Sequence, residues 1–143
     1  MTDEISVHVT EAGASRFAVR IEVGGHAIIG DEPAASGGAD LGPSPFQLLA
    51  AALGECTAMT IRWYAERQKW PLDHVAVDVT HRKETAEGRA GKTDVFRKVL
   101  HIRGPALTDE QRAKLIDVAA KCPVQRTLEA GSIIVTEATS EDL

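Results

Sequence analysis

The sequence has few aromatic residues, only two cysteines and no excess of positive charge. Aromatic residues make up 4% of the 143 residues, and the formal net charge is −5 at pH 7. A general affinity for nucleic acid or for an anionic membrane needs a basic surface, so neither partner is expected. The longest apolar run is interrupted by Arg62, Glu66 and Arg67, so it is too short for the roughly 20 residues of a membrane-spanning helix.

The first residues are acidic and no apolar stretch follows them, so we expect no secretion signal. A soluble cytoplasmic protein is therefore expected, in a compartment that keeps thiols reduced. There, a pair of cysteines is more often catalytic or redox-active than a structural disulfide. The length suffices for one domain with its own core, and we predict a single domain over residues 1–143.

Alternating apolar and polar residues, joined by glycine-containing turns, predict antiparallel β-strands. Residues Asp31–Ser44 contain several prolines and glycines and predict a long loop. The charged segment Lys83–Thr93 predicts a solvated hairpin loop. The predicted strands are Ile5–Thr10, Phe17–Val23, His26–Ile29, Val75–His81, Val95–Arg103 and Ile133–Val135.

The longest predicted helix covers Pro45–Gln68. Ser44 is its expected N-cap, proline suits the first helical position, and Gln47 completes a capping box with Ser44. From Leu48 to Ile61 almost every residue is apolar or small, which indicates burial on nearly all sides. Because one small sheet cannot cover every side, we expect a dimer partner to cover part of this helix.

Two shorter helices are predicted in the last third of the chain. Thr108 and Gln111 form a second capping-box pattern before an apolar stripe that includes Leu115. A short helix is predicted over Pro123–Glu129. The resulting order, β-β-β-α-β-β-α-α-β, is typical of an α+β domain.

The two cysteines occupy different settings. Cys56 lies on the apolar helix, and by itself it is best interpreted as a small core residue. Cys122 precedes Pro123 in an N-cap-like position, where free N–H groups and the helix dipole favour an anion, and Arg126 could add positive charge. A simple helix break at Cys122 is an equally good interpretation of the local sequence.

The spacing of cysteines and histidines matches no metal site, and the glycines form no phosphate-binding loop. We therefore expect neither a metal nor a cofactor. A Cys–His hydrolase stays open at this point, because catalytic partners need not be close in sequence.

Several segments together resemble the OsmC/Ohr superfamily, and most closely its general OsmC-like branch. The resemblance covers nearly the whole chain. It implies an OsmC-like fold, with antiparallel sheets around a long central buried helix, in an intertwined homodimer with two active sites at the interface. The segments that carry it are Asp31–Pro33, Gly37-Gly38, Asp40–Pro45, Leu48–Thr60 and Ala119–Val124.

The resemblance also implies a function. Enzymes of this superfamily reduce hydroperoxides, especially organic ones, with neither metal nor flavin. Carried over to this chain, Cys56 would be the peroxidatic thiolate that becomes a sulfenic acid, and Cys122 would be the resolving thiol that condenses with it to a disulfide. An external dithiol, typically a lipoylated protein, would then restore both thiols.

In the Ohr branch an arginine and a glutamate assist the reactive thiol. Arg16 and Arg20 are the candidates for the arginine, which comes from an N-terminal strand. Where the superfamily has its glutamate, this chain has Phe46 and Gln47, and an amide carries no charge. Gln47 is a candidate site residue as a hydrogen-bond donor, although its position also suits plain helix capping.

Three hypotheses follow. The first is a peroxidase acting on organic hydroperoxides, with an apolar pocket near Phe46, Leu49, Met59 and Trp63 at the dimer interface. The second is a binding protein of the same fold that holds a small apolar or electrophilic ligand without turnover, which the missing acidic residue favours. The third is a structural dimer in which both cysteines are core residues.

Overall fold

The computed structural model describes residues 4–139 and has an α+β fold. Residues 1–3, on which the expectation of no secretion signal partly rests, lie outside this range. The strands are β1 (Val7–Glu11), β2 (Val19–Val23), β3 (His26–Gly30), β4 (His74–Thr85) and β5 (Lys92–Arg103), and the helices are α1 (Pro45–Gln68), α2 (Asp109–Ala119) and α3 (Pro123–Ala130).

The chain forms two compact units. The first contains the residues up to Ala51 together with Thr80–Phe96, and the second contains Ala52–Val79 and the residues from Arg97 onward. The long elements α1, β4 and β5 each contribute residues to both units. A single OsmC-like domain over residues 1–143 stays a prediction.

The first unit contains an antiparallel sheet in the order β1-β2-β3. Ile21 in the central strand is paired with Val9 on one side and with Ile28 on the other. The turn between β2 and β3 places Gly24 and Gly25 at φ 56° and 79°, a left-handed conformation that glycine adopts at little cost. The three N-terminal strands are thus confirmed, with their ends shifted by one or two residues.

The loop between β3 and α1 is organised by the carboxylate of Asp31, which is only 3% exposed. It accepts hydrogen bonds from the Ser15 hydroxyl and from the backbone N–H groups of Glu32, Ala39 and Leu41, at 2.7–3.3 Å. Burial by itself raises the pKa of this carboxyl, but the hydrogen bonds outweigh burial and hold the pKa below its ordinary value. The loop therefore depends on a charged Asp31.

Helix α1 begins and ends where the sequence predicts. Ser44 and Gln47 form the predicted capping box: the Ser44 N–H donates to Gln47 Oε1 at 2.9 Å, and the Gln47 N–H donates to Ser44 Oγ at 3.4 Å. Lys69, directly after the helix, adopts a left-handed conformation with φ 59°, as residues that end helices often do.

Only one side of α1 is covered within a single chain. The buried residues follow one another at four-residue intervals, at positions 53, 57, 61 and 65. By contrast, Met59 is 62% exposed and Trp63 is 57% exposed. The burial on nearly all sides that the sequence indicates is therefore not achieved by one chain alone.

The core of the second unit joins α1 to α2 and to the segments that precede α2. The predicted capping box of Thr108 and Gln111 is confirmed. The Arg112 guanidinium donates to the carbonyls of Ile102 and Gly104 at 2.7 and 3.1 Å, which ties α2 to the end of β5. The buried core residues are Ile61, Ala65, Leu72, Leu107, Leu115 and Ala119.

Two predictions about secondary structure were wrong. Ile133–Val135 form no strand, and their side chains are 77–94% exposed, because no other strand of the described chain pairs with them. The predicted hairpin loop Lys83–Thr93 is also too long, since β4 continues to Thr85 and β5 starts at Lys92. Strands β4 and β5 form a two-stranded sheet, here called the hairpin, and cross-strand pairs of His81 and Lys83 with Asp94 hold these charged residues in it.

Candidate functional site

The second unit brings the two cysteines together. Cys56 lies on α1 and is partly buried, whereas Cys122 lies between α2 and α3 and is fully buried. Both thiols are free, and they lie close enough for the Cys56 side chain to be one of the groups that lower the pKa of Cys122, against burial, which raises it. Residues 66 positions apart in the sequence are thus neighbours in the fold.

Cys122 is the N-cap of α3, as the sequence predicts. Its backbone is extended, with φ −65° and ψ 149°, and Pro123 takes the first helical position. The Cys122 carbonyl accepts the Arg126 N–H at 3.1 Å as the helix begins. The sulfur makes no regular capping hydrogen bond, but it lies at the end of the helix where the dipole and free N–H groups favour a negative charge.

Thr57 connects the helix to the buried thiol. Its side chain is fully buried, and Oγ1 donates to the Leu53 carbonyl at 2.8 Å. The same oxygen lies 3.5 Å from Cys122 Sγ, with either atom able to donate. Because a hydroxyl has one hydrogen, Thr57 donates either to Leu53 or to the sulfur at any moment.

Lys98 places a partly buried cation beside the thiols. Its ammonium donates to Thr57 Oγ1 at 3.1 Å, to the Ala119 carbonyl at 2.7 Å and to Gln125 Oε1 at 2.6 Å. An ammonium has three hydrogens, so these three acceptors match its full donor capacity. Ala119 is the last residue of α2, and a cation is favoured at that end of a helix.

The pKa of Lys98 and the pKa of Cys122 shift for related reasons. Burial lowers the pKa of Lys98, against the opposing charges of Cys122, Cys56 and Glu129. For Cys122, burial raises the pKa, but the hydrogen bond with Thr57, the nearby Gln125 N–H and Cys56 side chain, and the charge of Lys98 together bring the pKa below its ordinary value of 9.0. The arrangement therefore makes Cys122 easier to ionise than an ordinary cysteine.

Neither Lys98 nor Thr57 was among the site residues predicted from the sequence. Lys98 has a detectable signal, since Phe96, Lys98, Leu100 and Ile102 occupy the less exposed positions of alternating strand β5. A lysine within such an apolar series indicates a partly buried cation. Arg126, the cation suggested by the sequence, is exposed, and the charge that acts on Cys122 is that of Lys98.

The other predicted site residues belong to the first unit. The Arg16 guanidinium lies 5.0 Å from the centroid of the Phe17 ring, and Arg20 Nε forms an exposed ion pair with Glu22 at 2.9 Å. The Gln47 side chain is engaged in helix capping with Ser44. Their participation in a reaction at the thiols stays a prediction.

The residues of the predicted apolar pocket also fall in two places. Met59 and Trp63 line an open groove of about 430 Å³ in the second unit, together with Ala58, Arg62, Glu66, His74 and Val75. Phe46 belongs to the first unit, where its ring stacks on His81 at 4.8 Å between centroids. The groove is consistent with a ligand that is apolar along part of its length.

The described part of the chain contains neither a metal-binding cluster nor a membrane-spanning helix. Residues 4–139 contain no group of three or more histidine, cysteine or acidic side chains arranged to hold a metal ion. None of the helices within that range is both long and apolar enough to cross a membrane.

Residues 37–137 match the model of a protein family described as OsmC-like protein. The chain belongs to this family. The match includes α1, the hairpin and both cysteine segments, so it covers the entire thiol site. A search of curated protein sequences found no match.

Solved structures confirm the OsmC-like fold. An OsmC-like protein from Mycoplasma pneumoniae has a TM-score of 0.72 at 20% identity, with 90% of this chain and 89% of that chain covered. A candidate osmotic stress induced and detoxification response protein from Psychrobacter arcticus has a TM-score of 0.71 at 20% identity, with 89% and 90% covered. A candidate organic hydroperoxide resistance protein from Vibrio cholerae, with captopril bound in one of its active sites, has a TM-score of 0.65 at 25% identity, with 90% and 85% covered.

Proposed function

We propose that this OsmC-like protein is a thiol-dependent peroxidase that reduces organic hydroperoxides. The observation that carries the proposal is the convergence of two free thiols with Thr57 and the Lys98 cation in one partly buried cluster. Core cysteines that only fill space need neither a cation nor a hydrogen-bonded hydroxyl. The name of the Vibrio cholerae relative, which concerns organic hydroperoxides, supports the same chemistry.

The exposure of the two thiols supports the order of the reaction. Cys56 is partly exposed and can meet a substrate, whereas Cys122 is fully buried. The Cys56 thiolate attacks one peroxide oxygen, the O–O bond breaks, and the alkoxide leaves as an alcohol after it takes a proton. Cys56 is thereby oxidised to a sulfenic acid while the peroxide is reduced.

The second thiol completes the cycle. The Cys122 thiolate attacks the Cys56 sulfur, the S–S bond forms, the S–O bond breaks, and hydroxide leaves as water after it takes a proton. An external dithiol, such as a lipoylated protein, then reduces the disulfide by thiol–disulfide exchange. No metal or cofactor takes part in this cycle.

The proposed enzyme is a cytoplasmic homodimer. Met59 and Trp63 on α1, and Ile133, Ile134 and Val135 near the C-terminus, are large apolar residues that one chain leaves exposed. A second copy of the chain would remove this surface from water. The groove beside Met59 and Trp63 would then become a more enclosed apolar pocket, suited to the organic part of a hydroperoxide.

A second candidate function is ligand binding without turnover. Phe46 and Gln47 stand where the resemblance places a glutamate; Phe46 is stacked on His81, and Gln47 caps α1 with Ser44. Neither an aromatic ring nor an amide can supply the negative charge of that glutamate. A small apolar or electrophilic ligand near the thiols is the alternative that this substitution favours.

The deciding experiment is a titration of the reduced protein with a slight excess of cumene hydroperoxide, followed by free-thiol counting and intact mass measurement. Loss of both thiols with a mass decrease of about two hydrogens supports the peroxidase cycle. Two unreacted thiols would contradict the peroxidase cycle and favour ligand binding without turnover.

Two variants assign the roles of the thiols. Cys122→Ser should stop at a sulfenic acid on Cys56, seen as a mass increase of about one oxygen atom and trapped by dimedone. Cys56→Ser should consume no peroxide, because the remaining thiol is fully buried. Peroxide consumption by Cys56→Ser at the wild-type rate would contradict the proposed assignment.

A further inference from the structure

We infer that Lys98 is a positioning residue of the resolving step: through Thr57 it holds Cys122 as the thiolate that attacks oxidised Cys56. The inference rests on the proposed peroxidase function and adds a residue to it. Neither Lys98 nor Thr57 belongs to the arginine and glutamate pair that the resemblance implies.

Three elements hold the Lys98 ammonium. Its three acceptors are Thr57 on α1, Ala119 at the end of α2, and Gln125 on α3. All three acceptors are uncharged, so none of them neutralises the positive charge of Lys98. The positive charge is therefore available to a neighbouring anion.

The charged groups around Lys98 differ in burial. The groups whose charges act on it are Cys122, Cys56 and Glu129. Glu129 is exposed on α3 and accepts a hydrogen bond from Gln125 at 3.5 Å, so water screens its charge. Cys122 is fully buried, and a buried pair of charges is screened much less. The thiolate of Cys122 is thus the counter-charge best placed for Lys98.

The Thr57 hydroxyl lies between Lys98 and Cys122. Lys98 donates to Thr57 Oγ1 at 3.1 Å, and this oxygen lies 3.5 Å from Cys122 Sγ. When Cys122 is a neutral thiol, it donates to Oγ1 and the Thr57 hydrogen goes to Leu53. When Cys122 is a thiolate, the Thr57 hydrogen turns to the sulfur, and the ammonium polarises this hydrogen bond.

This arrangement has a direct consequence for the chemistry. Disulfide formation with a sulfenic acid needs a thiolate, and a buried thiol by itself is reluctant to ionise. Cys122 gives its proton to solvent, and its sulfur then forms the S–S bond with Cys56 as the S–O bond breaks; the hydroxide that leaves takes up a proton and becomes water. Lys98 keeps its three hydrogen bonds throughout and neither gains nor loses a proton.

The first test measures the ionisation of Cys122 without any peroxide. In a Cys56→Ser background, thiolate absorbance near 240 nm is followed against pH for Lys98→Met. The midpoint should rise by about one pH unit or more, as expected when a nearby opposite charge is lost. Lys98→Arg should keep the midpoint closer to that of the parent, because it retains the charge.

Lys121→Met is the matched control. Lys121 is the sequence neighbour of Cys122 and has the same charge, but its ammonium is bound to Asp117 at 3.1 Å. Its removal should leave the midpoint unchanged. A Lys98→Met midpoint equal to that of the parent, in a protein with an unchanged circular dichroism spectrum, would overturn the inference.

Thr57→Val provides an independent test if Lys98→Met fails to fold. Valine has nearly the same shape but no hydroxyl, so the connection between Lys98 and Cys122 is lost. The Cys122 midpoint should rise in Thr57→Val and recover in Thr57→Ser. Equal midpoints for valine and serine would mean that the hydroxyl has no such role.

The second test measures the reaction itself. After one equivalent of cumene hydroperoxide at neutral pH, the Lys98→Met variant with both cysteines should form the disulfide about tenfold more slowly than wild type, since fewer Cys122 side chains are thiolates. Disulfide formation at the wild-type rate would contradict the proposed role of Lys98 in the resolving step. If Cys56 instead forms no sulfenic acid in any variant, the proposed peroxidase function fails, yet the pH titration still decides whether Lys98 holds the Cys122 thiolate.

Discussion

The Phe46 ring lies nearly parallel to the imidazole of His81, with 4.8 Å between the ring centroids and 12° between the planes. His81 also contacts Phe96 at 4.7 Å, and its Nε2 lies 2.8 Å from Asp94 Oδ1. The start of α1 is thereby attached to the hairpin within the first unit. Where the resemblance implies a glutamate, this chain has Phe46, which packs on His81, and Gln47, which caps α1.

We predict that Phe46→Ala lowers the free energy of unfolding by about 1 kcal/mol, the typical value of a stacked aromatic pair. The effect is modest because Phe46 is 50% exposed. Chemical denaturation followed by circular dichroism measures it. Phe46→Leu, which keeps apolar area but not the stacked ring, should lie between wild type and alanine.

The carboxylate of Asp31 should make the protein sensitive to acid. Its pKa in the folded protein is held below the ordinary value of 3.8, so the folded state binds this proton less readily than the unfolded state. The stabilisation is present above the unfolded pKa and is lost as the pH falls through the folded pKa. Asp31→Asn should therefore lower the melting temperature at pH 7, and its difference from wild type should shrink at acid pH.

The physical reason for the Asp31→Asn effect is local. The new amide would direct an N–H₂ group at atoms that already donate, namely the N–H groups of Ala39 and Leu41 or that of Glu32. Asp117→Asn is the control, since that carboxylate is exposed and pairs with Lys114 and Lys121. Equal melting temperatures for the two variants at pH 7 would contradict the role of Asp31 in the loop.

Leu115→Ala should destabilise the core of the second unit by about 2–5 kcal/mol, the usual range for a buried leucine. Leu115 is fully buried, whereas its neighbour Ile116 is 52% exposed. Ile116→Ala should therefore cost less than half as much in denaturant unfolding. A larger loss for Ile116→Ala than for Leu115→Ala would mean that the exposed face of α2 is covered in solution.

The local features of the fold could be read from the sequence because they depend on neighbouring residues. The start of α1 follows from Ser44, Pro45 and Gln47, which determine where the first turn can form. The N-cap position of Cys122 follows from Pro123 in the same way. These contacts join residues no more than three positions apart.

The features that the sequence analysis missed depend on distant residues. Lys98 meets its acceptors 41, 21 and 27 positions away, and no local pattern indicates that α1, α2 and α3 converge there. The strand predicted at Ile133–Val135 fails for the same reason, since a strand needs a partner as well as an apolar pattern. Within the described chain that partner is missing.

Trp63 tests the proposed dimer. It is 57% exposed on the uncovered side of α1, and in the dimer this side would be buried against a second copy. Trp63→Glu would place a charge in that interface, which is costly without a partner, so the dissociation constant should rise at least about tenfold. Gln68→Glu, which adds the same charge at the exposed end of α1, should leave the dissociation constant unchanged.

Light scattering after size exclusion measures the mass of each variant. It should give twice the 15.3 kDa chain mass for wild type and Gln68→Glu, but a mass nearer the monomer for Trp63→Glu. A wild-type mass of one chain at micromolar concentration would refute the dimer, and with it the enclosed pocket beside Met59.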